Sequence, residues 1–437
     1  MTEHVVLRHR QPGLENINQL AAYQASGGFE AYRTVVTSMT PQAVIDLIKA
    51  SGLRGRGGAG FPTGVKWSFL SNRFPRYVVA NSDESEPGTF KDREIMERNP
   101  FQFLEGLMIA SYAAQASTAY NYLRGEFWEL AARLDAQIAE LHAAGLLGKN
   151  VLGTQYSLAV HNHLGAGAYI CGEESALLES IEGKLGQPRL KPPFPADRGL
   201  YGQPTVVNNT ETLANIPPIV ARGAEWYRTL GTESSPGTKV MCLSGHVANA
   251  GNYEVPFGIT FRELIFGLAG GIRGGRTLKA ILPSGASAPI LAATDKVLDT
   301  RLTYEDVAAL GSQLGSASII LMDETVDMSW VALKTTHFFK HESCGKCTPC
   351  REGGDWLFKL LQRVESGEGQ AKDLDLLFGV ANNIVGKTLC AFGDAAATPV
   401  LTTMKLFRPE YEAHVREGRC TIPAEWRAKH PLFAHAH

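Results

Sequence analysis

Apolar positions along this chain change rhythm several times, and the changes divide it. After Thr40-Pro41, an N-cap followed by proline at the first helical position, Val44, Ile45, Leu47 and Ile48 mark one face of a helix. Residues 77–80 read as a short strand that runs into the acidic loop 81–88. The pattern then predicts a helix near 100–116, a strand near 118–124 and a helix near 126–143 ending at Gly145. Residues 157–161 alternate like a strand and enter the turn Gly165-Ala166-Gly167, with a helix from near Gly172. Proline density makes 188–204 an extended loop, and 206–212 leads into another helix. Strands alternating with helices in this way predict an α/β sandwich over residues 40–235.

Before it, residues 1–39 read as a polar N-terminal extension broken at Gly27-Gly28. After it, residues 236–325 read as strand (240–243), strand (253–255), helix (260–269), strand (278–282) and strand (319–322). That order suits a small α+β module of the β-grasp kind. From residue 326 to 437 only helical periodicity remains.

Composition narrows the class. A length of 437 residues suits about three domains. A net charge of −2 gives no field that would draw nucleic acid or an acidic membrane. No uncharged apolar stretch nears the roughly 18 residues of a spanning helix; residues 101–116 come closest, and Glu105 interrupts them. Nothing at the start resembles a secretory signal. The expectation is an intracellular, soluble chain with reduced thiols.

The sharpest chemical signal is Cys344, Cys347 and Cys350, spaced C-x₂-C-x₂-C. Three thiolates so close can hold three corners of one inorganic cluster, the ligand logic of a [4Fe–4S] centre. Cys390, in a turn-like stretch beyond an intervening helix, is the candidate fourth ligand. Structural zinc also takes four cysteines but favours two separated C-x₂-C knuckles, and a disulfide framework sits badly with seven cysteines. Cys171, Cys242 and Cys420 read as packing residues. His161 and His163 share one strand face, with no nearby acid or cysteine to complete a metal site; His341 reads as a surface residue or a neighbour of the cluster.

Gly55-Arg56-Gly57-Gly58-Ala59-Gly60 formally matches G-x-G-x-x-G, but that fingerprint needs a strand before it, and a helix precedes it here. The glycines still allow backbone N–H groups to approach a flat ring or phosphate. Arg54, Arg56 and Lys66 are read as positive charge beside it, and Phe61, Trp67 and Phe69 as stacking surface. Asp83, Glu84 and Glu86 follow a strand end, where α/β sheets place ligands and where carboxylates accept hydroxyl protons. Glu173 and Glu174 open a helix and Asn208 and Asn209 precede one, so capping competes with ligand binding.

The motifs RGRGGAGFPTG (54–64), NSDESEPGTFKDR (81–93), GAGAYICGEESAL (165–177), RLKPPFP (189–195), VNNTETL (207–213) and HESCGKCTPCREG (341–353) together resemble the NADH-binding flavoprotein subunits of bacterial complex I, the NADH:quinone oxidoreductases. The resemblance runs from about residue 40 to 410. It implies a multidomain α/β fold: a non-classical Rossmann-like domain for FMN and NADH, a ubiquitin-like β-grasp domain, and a helical bundle carrying a [4Fe–4S] cluster on Cys344, Cys347, Cys350 and Cys390. By motif, it assigns cofactor contacts to the loop Gly55, Arg56, Gly57, Gly58, Ala59 and Gly60. FMN contacts also fall to Lys66, Asn81, Asp83, Glu84, Tyr169, Gly172, Glu173, Asn208, Asn209 and Thr212. NADH would stack on Phe61, with Phe69 and Phe194 at its adenine end and Glu86, Glu174 and Lys191 as polar contacts. No general acid or nucleophile is required for hydride transfer, so no catalytic triad is expected. Ser82, Ser175 and Thr210 depart from the expected Ala, Thr and Val, and Pro283-Ser284-Gly285 from Pro-Gly-Gly.

The implied partners are the other peripheral-arm subunits, above all a small thioredoxin-like [2Fe–2S] subunit and a large multi-cluster iron–sulfur subunit. The implied location is cytoplasmic, held to the inner membrane through the complex. Two other readings fit parts of the sequence. One is the diaphorase subunit of a soluble NAD-linked hydrogenase or formate dehydrogenase; the other is a non-catalytic interaction scaffold with a zinc-stabilised bundle.

Overall fold

The computed structural model describes residues 4–422; the last part of the segment 326–437 lies outside them. Four strands, β1 (Tyr77–Ser82), β2 (Thr118–Leu123), β3 (Ala159–Leu164) and β4 (Thr205–Asn209), form an all-parallel sheet in the order β3-β2-β1-β4. Helices cover the sheet, so Val78, Val79 and Ala80 are buried on both faces and read as a continuous apolar run. β4 went unread in the sequence because its last two residues, Asn208 and Asn209, are polar. They are polar because that end of the sheet opens onto a cavity.

Of the polar extension expected over residues 1–39, the described residues 4–39 are instead joined to the core. Val5, Leu7, Tyr23, Phe29, Tyr32 and Val35 are buried in the same cluster as the helix Pro100–Ala113. Glu105, the charge that interrupts that apolar helix, anchors them: it accepts hydrogen bonds from the Tyr23 hydroxyl (2.5 Å) and the N–H groups of Phe29 and Tyr32 (both 3.0 Å). Glu254, a residue of the second sheet, likewise receives the N–H groups of Val5, Val6 and Leu7. Two buried carboxylates thus satisfy a segment whose apolar residues are too scattered to show periodicity.

The second sheet is mixed: β5 (Thr238–Gly245), β6 (Gly251–Pro256), β7 (Leu278–Ala286), β8 (Leu291–Ala292) and β9 (Ser318–Asp323), in the order β6-β5-β9-β7-β8. Only β5 and β9 run parallel. The expected helix over 260–269 includes a π-helical turn, Glu263–Leu268, and β8 was too short to be read. Among the described residues, the C-terminal part holds four helices: Met328–Glu342, Thr348–Ser366, Ala371–Ile384 and Phe392–Glu417. The architecture is a multidomain α/β fold with a helical C-terminal region. Among the described residues, no helix is long and apolar enough to cross a membrane.

Candidate functional site

A cavity of about 790 Å³ lies at the C-terminal ends of β1 and β4. Here the strand order turns, with β2 and β3 on one side of β1 and β4 on the other. That is where open α/β sheets bind ligands, and the volume falls in the usual range for small-molecule sites.

The glycine loop forms one wall. It follows the helix Pro41–Ser51, which ends on Gly52 in the left-handed region, and an Arg54–Pro62 bridge closes it. Gly55, Gly57, Gly58, Ala59, Gly60 and Phe61 all face the cavity. A Cβ on Gly57 would lie 2.7 Å from that of Asn209, whereas one on Gly58 would meet nothing within 4 Å. The first glycine therefore brings loop and strand together, and the second leaves open space for a ligand.

Arg56 corrects the expectation of positive charge at this loop. Its guanidinium is buried away from the cavity, donating to the carbonyls of Pro236 (2.8 Å) and Thr238 (3.1 Å) and to the Tyr227 hydroxyl (2.8 Å). Only its backbone N–H turns inward, to Thr212 Oγ1 (2.8 Å). Arg54 is likewise occupied, paired with Glu305 and lying over the Tyr304 ring. Lys66 does reach the cavity wall, bonded to Glu174 (2.8 Å); Lys191 sits just behind, bonded to Glu173 (2.7 Å) and Glu174 (3.2 Å).

The acidic loop supplies the next wall. Asp83 Oδ1 accepts the Ser85 hydroxyl (2.8 Å), while Oδ2 is buried without a partner. Burial pushes this carboxyl up to about 7. Glu84 is committed to structure, accepting the N–H groups of Asp92 (2.8 Å) and Arg93 (2.9 Å) at the start of the helix Lys91–Arg98; burial and neighbouring Asp92 push it upward. Glu86 joins the two α/β parts, with the Tyr169 hydroxyl on one oxygen (2.6 Å) and the Ser287 N–H on the other (2.9 Å). Asn81 donates to the Gly172 carbonyl (2.9 Å) and Asn208 accepts the Trp67 indole N–H (2.8 Å). Glu173 and Asn209 cap the helices that follow them, so the capping and cavity-lining roles coincide. Phe61, Phe69 and Phe194 are each about half exposed or more, although Phe69 and Phe194 lie outside the cavity wall.

Sequence reading missed the floor. Lys91 is fully buried between Asp92 (2.8 Å) and Glu211 (2.9 Å), and Glu211 also receives Lys239 of β5 (2.6 Å) and the Val240 N–H (2.9 Å). Lys91 and Asp92 stand inside the 81–93 motif, so a charged pair before an apolar helix was the available signal. It also missed Ser287 and Gln313 from the second sheet region and Asp394 and Thr398 from the helices, which no local pattern marks.

The unsatisfied Asp83 oxygen has a measurable consequence. An acid whose folded value lies above its unfolded one binds an extra proton when folded, so stability falls as pH rises from about 4 to 7. In the ligand-free chain, Asp83→Asn is expected to add about 1 kcal/mol or more at pH 8 and nothing at pH 4. Thermal unfolding at the two pH values measures this; an equal effect at both would contradict it.

The cysteines adjoin the cavity. Cys344, Cys347 and Cys390 pack against the buried cluster that contains Cys350, Phe339 and Phe392. Cys347 Sγ accepts the Leu389 N–H (3.3 Å), and the Ser343 hydroxyl lies 3.3 Å from Cys350 Sγ. Burial pushes the Cys390 thiol up to about 11 and the Cys350 thiol upward. Four half-buried or buried soft donors with N–H and O–H groups at sulfur fit a metal–sulfur centre, which ionises the thiols on binding. Cys390, Ala391 and Phe392 also line the cavity, so the two sites share a wall. His341 is exposed and touches only Glu342 in this region. His161 and His163 stack on Tyr120 and Tyr122, and among the described residues neither belongs to a group able to hold a metal.

Fold and site together define a multidomain α/β protein in which a glycine-lined nucleotide-type cavity abuts a four-cysteine helical centre. Two family models match: the Nuo51 FMN-binding domain over residues 48–218, and the NADH-ubiquinone oxidoreductase-F iron-sulfur binding region over residues 330–414. The chain is 50% identical over 422 residues to the second NADH-quinone oxidoreductase F subunit of Rhizobium meliloti (strain 1021), covering 96% of this chain and 99% of that one. It is also 50% identical to the F subunit of Streptomyces coelicolor, covering 92% and 89%. Among solved structures, NAD+-reducing [NiFe]-hydrogenase in the H2-reduced state superposes with a TM-score of 0.83 at 36% identity, over 93% of this chain and 67% of that one. The chain belongs to the family of NADH-quinone oxidoreductase F subunits.

Proposed function

We propose that this chain is the NADH dehydrogenase subunit of an NADH:quinone oxidoreductase. The observation that carries the reading is the shared wall: Cys390 and Phe392 face the same cavity as Gly57, Gly58 and Asp83. The cavity residues would hold FMN, which would supply a hydride acceptor able to give up single electrons, and the four cysteines would hold a [4Fe–4S] cluster, which would supply a one-electron acceptor beside it.

The residues present fit these groups. The free Asp83 oxygen would accept a ligand hydroxyl, and Gly58 would offer its backbone N–H without a Cβ in the way. The Lys66–Glu174–Lys191–Glu173 chain of ion pairs fixes the rim where the nicotinamide nucleotide enters, and exposed Phe61 and Phe69, with ring centres 6.2 Å apart, offer its adenine an apolar shelf. Alignment and exclusion of water are the chain's share of catalysis. Leu389 N–H and Ser343 O–H stabilise the sulfurs when they are ionised.

In domain terms, residues 40–235 form the non-classical Rossmann-like flavin and NADH unit, with 1–39 joined to it. Residues 236–325 form a ubiquitin-like β-grasp unit and 326–437 the cluster bundle. The partners are the thioredoxin-like [2Fe–2S] subunit and the large multi-cluster subunit of the peripheral arm, which hold the chain at the inner membrane from the cytoplasmic side. The diaphorase reading draws on the hydrogenase likeness, but identity is higher, and coverage of the relative more complete, for the F subunits.

Flavin and iron analysis of the anaerobically purified chain tests this. One FMN and about four iron atoms per chain are expected; a colourless protein with zinc on the four cysteines would sink the reading and favour the scaffold.

A further inference from the structure

Two helices of the bundle begin at the cluster cysteines, and their opposite ends converge on three side chains that electron transfer leaves unused. Glu365 lies in the last turn of Thr348–Ser366, His414 in the last turn of Phe392–Glu417, and Cys420 just beyond it. Glu365 and His414 are buried and Cys420 is half-buried. The ligand-type atoms of all three lie within 4.8 Å of one another.

Their spacing is informative. His414 Nε2 is 3.5 Å from one Glu365 oxygen, and Cys420 Sγ is 3.6 Å from the other. A charge-assisted N–H···O bond would be about 2.7–2.9 Å. Tetrahedral zinc with Zn–N and Zn–O of about 2.0–2.1 Å sets those ligand atoms about 3.4 Å apart, and Zn–S of about 2.3 Å sets sulfur and oxygen about 3.6 Å apart. The two distances run to different Glu365 oxygens and so bracket the carboxylate; with one atom taken per residue, the three ligand atoms lie within 4.8 Å of one another, within reach of one small cation.

Orientation and charge agree. His414 Nδ1 lies 2.9 Å from the Glu410 carbonyl, which takes the Nδ1–H and turns Nε2 toward the Glu365 carboxylate, where a cation would replace the Nε2 proton. Metal-bound histidines are commonly held this way. The Ser329 hydroxyl, with one proton, faces both Asp327 Oδ1 (2.6 Å) and Glu365 Oε1. Two carboxylates thus face one hydroxyl proton, and a divalent cation in place of the His414 Nε2 proton would balance them. Thr421 Oγ1 lies 3.2 Å from Nδ1 and 3.5 Å from Nε2, beside the ring.

We propose that Glu365, His414 and Cys420 bind one Zn²⁺ ion, separate from the four-cysteine centre, that clamps the end of the last helix to the helix carrying Cys350. The role is structural: with the cluster at one end and zinc at the other, both helices are fixed at each terminus. The proposal does not depend on which cofactors fill the cavity.

Metal analysis and zinc K-edge absorption on the full, iron-loaded chain test it. About one zinc per chain is expected, with one sulfur at about 2.3 Å and the other ligands nitrogen or oxygen at about 2.0–2.1 Å. Cys420→Ser and His414→Gln should each lower zinc retention roughly tenfold or more with iron and flavin unchanged, and Cys420→His should keep it. The absorption spectrum of the unaltered chain decides the matter even where a variant fails to fold. A shell of four sulfurs, retention below about a tenth of an equivalent after equimolar zinc and gel filtration, or equal zinc in both variants would overturn it.

Discussion

Cys347→Ala should abolish electron delivery to protein-sized one-electron carriers while NADH still bleaches the flavin. The side chain lies just before the helix Thr348–Ser366, and its sulfur takes the Leu389 N–H, tying the triple-cysteine run to the turn that holds Cys390. Removing it deletes one corner of the centre and one tie across it. Even a lost second partner of a metal ligand costs on the order of 10–100-fold, so a lost ligand should cost at least about 100-fold in carrier reduction. The glycine loop, Asp83 and Lys66 are untouched, so hydride acceptance survives. A carrier too large for the cavity is essential, because a small oxidant reaches the flavin directly. Undiminished carrier reduction would refute the division of labour. Ser343→Ala serves as the milder companion: it removes the hydroxyl beside Cys350 without removing a ligand.

The second large effect lies under the cavity. Glu211→Ala should destabilise the chain by about 3–5 kcal/mol, the cost of breaking a buried ion pair from one side. Glu211 is completely buried, receives both Lys91 and Lys239, and accepts the Val240 N–H. Without it, Lys91 retains Asp92, but Lys239 keeps only a backbone carbonyl. Lys239 comes from β5, so the same carboxylate joins the cavity floor to the second sheet. Burial already holds Lys239 down at about 8 despite the Glu211 charge, so loss of that charge leaves it neutral at pH 7 or unfolds its surroundings. Urea unfolding with flavin release as a second signal measures the effect. Glu211→Gln, which keeps an acceptor for Val240, should cost less; a change below about 1 kcal/mol for Glu211→Ala would contradict the account.

What could be read from the sequence follows from how local each signal is. The cysteine spacing, the glycine run and the acidic loop are contiguous, and the structure places each beside the cavity. β1 and β2 were legible because their apolar residues are consecutive or alternate, whereas β3 (Ala159–Leu164) was read two residues early, over 157–161, because His161, Asn162 and His163 break its pattern. Residues 4–39 were not, because their burial depends on Glu105 and Glu254, distant in sequence. Arg56 was misplaced because composition cannot say which way a side chain turns; Tyr227, Pro236 and Thr238, all distant in sequence, draw it away from the loop. The departures from the family pattern acquire a reason only in space. Ser82 and Thr210, where Ala and Val were expected, are hydrogen-bonded to each other at 2.7 Å, so one polar change accommodates the other. Ser175 accepts the Arg189 N–H and faces Glu173, which steadies the proline-rich loop. Ser284 takes the Ser316 N–H behind the cavity, while Ser287 and Gln313 line it, so the second sheet contributes to the site despite the change.

The most direct test of the central claim is freeze-quench electron paramagnetic resonance of the flavin- and iron-loaded chain mixed anaerobically with less than one equivalent of NADH. The shared wall of Cys390 and Phe392 predicts that the reduced-cluster signal grows as flavin absorbance bleaches. Bleaching with no change in a cluster that dithionite can still reduce would show that the cavity and the four cysteines are neighbours without being a path.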